Sequence, residues 1–166
     1  MQRCGWVDEA DKLMCEYHDS EYGRIKKDDS LLFEKLCLEC FQAGLSWRTV
    51  LYKRNAFRRC FYGFDIKKTA AMTEKDIERL MSDSTIVRNR RKIEAVIHNA
   101  KRHLAVFAEP GSFSRYVYAF GGGEALSKDL KEKGYRFAGP TICESFLLSV
   151  GAMEAHDQKC FLHGTL

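Results

Sequence analysis

Apolar residues in this chain recur at helical spacing and almost never alternate with polar ones at a period of two, and this limits what it can fold into. Ile93, Val96, Ile97, Ala100 and Leu104 form a stripe at i, i+3, i+4, i+7 and i+11, one face of a helix. The expected fold class is all-α. Asp28, Asp29 and Ser30 offer capping side chains for a helix over 31–41, Ser46 offers one for a helix from Trp47 to about Phe61, and Gly44 separates the two. Thr73-Glu74-Lys75-Asp76 has capping-box form and opens a short helix to about Met81. A basic helix follows from about Arg90 to His103, and a further one is expected from about Leu126 to Lys133.

At 166 residues and 45% hydrophobic, the chain has enough apolar mass for one core, and no linker divides it. A single domain over 1–166 is expected. Gly121-Gly122-Gly123 reads as a flexible connection before the Leu126 helix. The net charge of +4 permits contact with a polyanion without requiring it. No apolar run is long enough to cross a bilayer and the N-terminus has no signal core, so a soluble, cytoplasmic chain without a membrane partner is expected. The seven cysteines are an odd number, which fits thiols or metal ligands better than a disulfide framework.

Several groups could carry chemistry. Cys37-x-x-Cys40 lies in an apolar helical run with no second pair to complete a tetrahedron, and reads as buried thiols. His156-x-x-x-Cys160 could point both side chains one way from a helical turn, with Cys4 and His18 available to close a four-ligand site; a lone surface His and Cys is the plainer alternative. Gly134 suits a left-handed helix end, and Gly139 before Pro140 suits the start of another helix. That is the form of a helix-hairpin-helix able to hold a DNA phosphate, or of an ordinary turn around Phe137. Glu39, inside Leu36-Cys37-Leu38-Glu39-Cys40-Phe41, is either a functional acid or a side chain on the solvent face. Trp6, Tyr17, Tyr22 and Trp47 could wall a base pocket or simply fill the core. Arg88, Arg90, Arg91, Lys92, Lys101 and Arg102 read as a basic face, for phosphates or for solvent.

Taken together, Cys4-Gly5-Trp6, Tyr17-His18-Asp19-x-Glu21, Gln42-Ala43-Gly44-Leu45-Ser46-Trp47, Gly134-x-x-Phe137-x-Gly139-Pro140-Thr141 and His156-x-x-x-Cys160 resemble the DNA-3-methyladenine glycosylase I family, in order and spacing, from Cys4 to Cys160. The resemblance implies a helix-hairpin-helix glycosylase fold and hydrolytic release of 3-methyladenine from double-stranded DNA by a monomer; no lysine stands out as a Schiff-base nucleophile, so base removal without strand cleavage is expected. It also implies one structural zinc held by Cys4, His18, His156 and Cys160. By motif position, Glu39 looks like the pocket carboxylate, Trp47 the stacking aromatic and Tyr17 the pocket tyrosine. Gln42, Gly44, Leu45 and Ser46 resemble the segment that enters the gap left by a flipped nucleotide, with Leu45 as the wedge. Gly134, Phe137, Gly139 and Thr141 fall in the DNA-binding hairpin.

The chain departs from the family pattern at Cys40-Phe41, at Tyr22, at the short Gly121 to Glu124 segment and at Glu154-Ala155. Asp157 stands a residue or two from the slot where related glycosylases place a catalytic aspartate, and is assigned no such role. An inactive DNA-binding or lesion-sensing relative, or a non-DNA interaction domain whose zinc is purely structural, are the competing expectations.

Overall fold

The computed structural model describes residues 1–165. Among them every regular element is helical: α1 (Lys12–Ser20), α2 (Asp29–Gln42), α3 (Trp47–Cys60), α4 (Ile66–Ala70), α5 (Glu74–Ser82), α6 (Arg90–Val106), α7 (Ser112–Val117), α8 (Gly123–Glu132) and α9 (Pro140–Ser149). The helix starts follow the capping chemistry: Asp28, Ser46 and Asn89 side chains accept amide protons from the first turns of α2, α3 and α6, and Thr73 and Asp76 form the capping box of α5. Helix α1, unanticipated from sequence, is capped by Asp11, whose side chain accepts from the Leu13 and Met14 amides.

Helix α2 runs through the middle. Every residue from Leu32 to Phe41 is buried. Phe33, Cys37, Leu38 and Phe41 face a core shared with α3, α5 and α6, through Phe57, Phe61, Leu80, Ile93 and Val96. Leu32 and Leu36 face a second core with α7, α8 and α9, through Phe113, Leu126, Leu130, Phe146 and Leu147. A helix apolar all round is one enclosed by its neighbours, which is why α2 lacks the one-sided pattern that α6 shows.

Two expectations need correcting. The glycine run is not a flexible connection: Gly122 caps α8, and Gly123, buried in its first turn, lies so close to α9 that a Cβ there would sit 2.5 Å from the Glu144 amide nitrogen and 2.6 Å from the Pro140 oxygen. The helix therefore begins three residues earlier than its apolar pattern indicates, because packing against α9 requires glycine rather than a leucine. His156 and Cys160 do not sit on a helical turn; the segment after α9 is a series of turns and bends.

Replacing Gly123 by Ala should lower stability by about 1–3 kcal/mol through overpacking, whereas Gly121→Ala, which meets nothing within 4 Å, should change it by less than about 0.5 kcal/mol. Thermal unfolding of the two variants separates a packed glycine from a flexible one.

Candidate active site and metal centre

Helix α2, the start of α3, α1 and the N-terminal segment enclose a cavity of about 480 Å³. Trp6, Tyr17, Tyr22 and Trp47 line it, together with Glu39, Gln42, Ser46, Met14, Asp8, Arg48, Ser145 and Leu148. The four rings pack on one another, Trp6 on Tyr22 and Tyr17 on Trp47, each pair with centroids 5.0 Å apart. The rings therefore form one aromatic wall rather than scattered core fillers. Trp47 also carries a buried Nε1 with no hydrogen-bond partner, a donor left for a ligand.

Glu39 is 5% exposed, so it does not lie on a solvent face. Burial pushes its carboxyl up to about 8, with Lys35 pulling the other way. It lines both this cavity and a smaller one, of about 210 Å³, formed with Gln42, Gly44, Leu45, Thr141 and Ser145. The carboxyl thus stands where the aromatic cavity meets a groove between the α2–α3 turn and the start of α9. Gly44 takes a left-handed φ of 78°, which turns the chain so that Leu45 projects with 41% of its surface exposed.

Helices α8 and α9 are joined by a turn in which Gly134 and Phe137 both have left-handed φ, 84° and 52°. Gly139, at φ −71°, is the N-cap of α9, and Thr141 is exposed in its first turn. The Phe137 carbonyl accepts the Cys40 thiol at 3.4 Å, so the turn is tied to α2 beside Glu39.

The basic face of α6 divides on inspection. Arg88, Arg91 and Lys101 are exposed, but Arg90 pairs with Glu74, Glu78 and Glu94. Lys92 is buried and donates to the Phe41 and Ala43 carbonyls at 2.9 and 2.5 Å, holding the end of α2 where the exposed turn starts. Further along, Asn99 exchanges two hydrogen bonds with the Arg136 backbone, and Arg102 donates to the Lys133 carbonyl. Helix α6 therefore braces both the Leu45 turn and the α8–α9 turn. Sequence reasoning missed this because Lys92 and Arg102 are hidden in a run of basic residues.

Cys4, His18, His156 and Cys160 converge, all buried, with their ligand atoms within 4.8 Å of one another. Cys4 Sγ is 3.5 Å from His156 Nδ1, and Cys160 Sγ is 3.4 Å from His18 Nε2 and 3.7 Å from His156 Nδ1. A tetrahedral ion with bonds of about 2.0–2.3 Å has edges of about 3.3–3.8 Å, and these three separations fall within that range. The surrounding groups suit it too. Asp19 holds His18 Nδ1 at 2.8 Å and is itself clamped by Arg3, while the Asp157 and Leu162 amides donate to the Cys4 and Cys160 sulfurs. Asp157 further accepts from the Gly5 amide, a bond that ties the two ends of the chain together away from the cavity. Gly23, which the sequence reading passed over, makes room: a Cβ there would lie 2.8 Å from His156 Nε2. The cluster also backs the cavity wall, with Trp6 5.5 Å from His18 and Tyr22 5.4 Å from His156 between ring centroids.

An all-helical domain that opens an aromatic cavity around a buried carboxylate, beside an exposed turn and a helical hairpin, has the architecture of a DNA glycosylase. The chain belongs to the methyladenine glycosylase family, which its residues 6–163 match. It is 42% identical to DNA-3-methyladenine glycosylase 1 of Escherichia coli (strain K12), over 96% of each chain, and 40% identical to DNA-3-methyladenine glycosylase of Haemophilus influenzae, over 95% of this chain and 96% of that one. A crystal structure of 3-methyladenine DNA glycosylase I superposes with a TM-score of 0.92 at 41% identity, covering 98% of this chain and all of that one. The Staphylococcus aureus enzyme, solved for its recognition of 3-methyladenine, gives 0.89 at 35% identity, with 97% and 96% covered.

Because Glu39 titrates near 8 in the folded chain and near 4.5 when unfolded, ionising it opposes folding. The penalty is absent below pH 4.5, grows as pH rises, and levels off above about 8. Glu39→Gln should therefore melt higher than the parent at pH 8, by at most about 3–5 kcal/mol of stability, and the gap should close towards pH 4.5. A gap independent of pH would mean that the carboxyl is solvated.

Proposed function

We propose that this chain flips 3-methyladenine out of double-stranded DNA and releases it by hydrolysis, working as a monomer and leaving an abasic site. The observation that carries this reading is the buried Glu39 in a cavity walled by Trp6, Tyr17, Tyr22 and Trp47. An N3-methylated adenine in DNA is cationic, so electron-rich rings and a carboxylate bind it better than a neutral base. In the reaction the glycosidic bond breaks with its electron pair going to the base, which leaves neutral. Positive charge passes to the sugar, water adds to the anomeric carbon and a proton is lost. Glu39, open on one side to the base cavity and on the other to the groove, reads the base's amino edge and stabilises that moving charge. No lysine lines the cavity, which fits base removal without a Schiff base.

Leu45, presented by Gly44 and flanked by Gln42 and Ser46, acts as the wedge that fills the gap in the duplex. The turn from Gly134 through Phe137 and Gly139 to Thr141 anchors the backbone, with the N-terminal amides of α9 on a phosphate. Cys4, His18, His156 and Cys160 would hold a zinc ion. When bound it staples the two ends of the chain, and four protein ligands leave it no position for substrate.

Mass spectrometry of bases released from methylated DNA tests the reading directly. The parent chain should release 3-methyladenine, Glu39→Gln should slow single-turnover release by about 10²–10³-fold while binding abasic DNA nearly unchanged, and Trp47→Ala should weaken binding of free 3-methyladenine by about tenfold. A chain that binds abasic DNA yet releases no base is a lesion-binding relative instead. Metal analysis should find one zinc per chain, lost on replacing Cys4 or Cys160 and retained on replacing Cys37 and Cys40. Affinity for abasic DNA should fall with salt, and Gly139→Asp should weaken it further.

A further inference from the structure

One turn before Glu39, helix α2 carries another buried charge. Lys35 is 1% exposed, and the i to i+4 spacing sets it on the same face as Glu39. Its Nζ lies 4.7 Å from the centroid of the Tyr17 ring and 3.3 Å from Glu21 Oε2. That carboxylate is already engaged, since the Arg54 guanidinium donates to both its oxygens at 2.6 and 2.9 Å. Two cations on one carboxylate leave a positive charge in excess inside the protein, where an uncompensated charge is costly. The reaction as described gives Lys35 no task. It is absent from the cavity wall, which Tyr17 forms in front of it, so it touches neither base nor sugar.

We propose that Lys35 is a positioning residue that, from behind Tyr17, draws Glu39 toward its charged form and so sets the cavity's preference for a cationic base. This rests on the reading of Glu39 as the base-contacting carboxylate. The other titratable groups around Glu39 do not fill the role. Tyr17 from α1, Tyr22 from the segment after it, and Cys40 on α2 itself are all held neutral by burial. Asp8 and Arg48 stand across the cavity and are exposed, where water screens them. Helix α9 contributes only Ser145 and Leu148. Lys92 of α6 is bound to the carbonyls at the end of α2, beyond Cys40, and Glu34 is offset by Arg58; among the described residues the buried charge that bears on Glu39 is that of Lys35, with Arg54 and Glu21 beside it. In the empty cavity burial outweighs this pull. A cationic base adds a second positive charge on the open side, and the two together ionise the carboxyl; a neutral base does not.

Lys35→Met removes the charge and keeps the shape. Glu21 retains Arg54, and exchanging a buried charge for an apolar side chain is commonly neutral or stabilising, so the variant should fold. The titration of Glu39 can be followed by carbon NMR of protein labelled at the glutamate carboxyls, with its resonance assigned by its loss in Glu39→Gln. In Lys35→Met the midpoint should rise by about one pH unit or more, and in Lys35→Arg it should stay near that of the parent. Release of 3-methyladenine by Lys35→Met should fall several-fold at pH 7 and recover at higher pH, with abasic-DNA affinity unchanged. A midpoint unmoved in Lys35→Met, or moved equally in Lys35→Met and Lys35→Arg, overturns the proposal, because the role is then packing rather than charge. The titration needs no activity. If it shifts as stated while the parent chain releases no base, the coupling of Lys35 to Glu39 stands and the excision reading fails.

Discussion

The constraint on which the rest of the structure depends is that α2 is enclosed on every face and still carries three charged side chains, Glu34, Lys35 and Glu39, within its buried stretch. Each needs an answer from another element. Arg58 of α3 answers Glu34 with three hydrogen bonds of 2.8 to 3.2 Å. Glu21, just beyond α1, answers Lys35. Glu39 alone has no cation in direct contact among the described residues, and its burial is tolerated by keeping its proton. A buried ionisable group left in that state is a place where ligand binding can do electrostatic work, because the partner it lacks can arrive from outside.

The two ends of the chain serve the same cavity. Cys4 and His18 on one side and His156 and Cys160 on the other meet in a cluster against which Trp6 and Tyr22 lean. Both rings then face the cavity opposite α2. An ion held at this point would therefore do more than close the chain: it would fix the far wall of the aromatic slot at a set distance from Glu39. Helix α6 does the corresponding job on the groove side, since Lys92 and Asn99 bind backbone carbonyls on either side of the place where a strand would run. Slot width and groove width are thus set by separate elements.

How much of this was legible in the sequence differs by element. Capped helices with a one-sided stripe, α3, α5 and α6, were readable to within a few residues because their caps and their faces agree. Helix α1 was not, since its inward positions are Met14, Tyr17 and His18, two of them polar enough to hide the pattern. The start of α8 was misread because glycine signals both a loose loop and a close helix contact, and only the partner helix decides which. Of the site residues, Glu39 stood out as a carboxylate in an apolar run, yet Lys35, beside Glu34 just before that run, did not, because a lysine in a helix is ordinarily solvated. The four cluster residues were legible as a set only through resemblance: His156 and Cys160 are brought together by turns, for which spacing in sequence carries little information.

On the proposed reading, charge would also account for discrimination between damaged and undamaged bases. Normal adenine and 3-methyladenine differ by one methyl group, and a hydrophobic contact with a methyl is worth only about 1–3 kcal/mol. In DNA, however, the methyl group at N3 makes the base a cation, while adenine is neutral. In a cavity where Glu39 titrates near 8, a neutral adenine finds a protonated carboxyl and gains no ion pair. On the proposed reading a cationic base lowers that midpoint as it binds and gains a charge-assisted contact with the carboxylate. On that reading the difference in binding comes from the ion pair with Glu39, less the cost of removing its proton, rather than from a contact to the methyl group. This allows a cavity of about 480 Å³, larger than one base requires, to be selective without being tight.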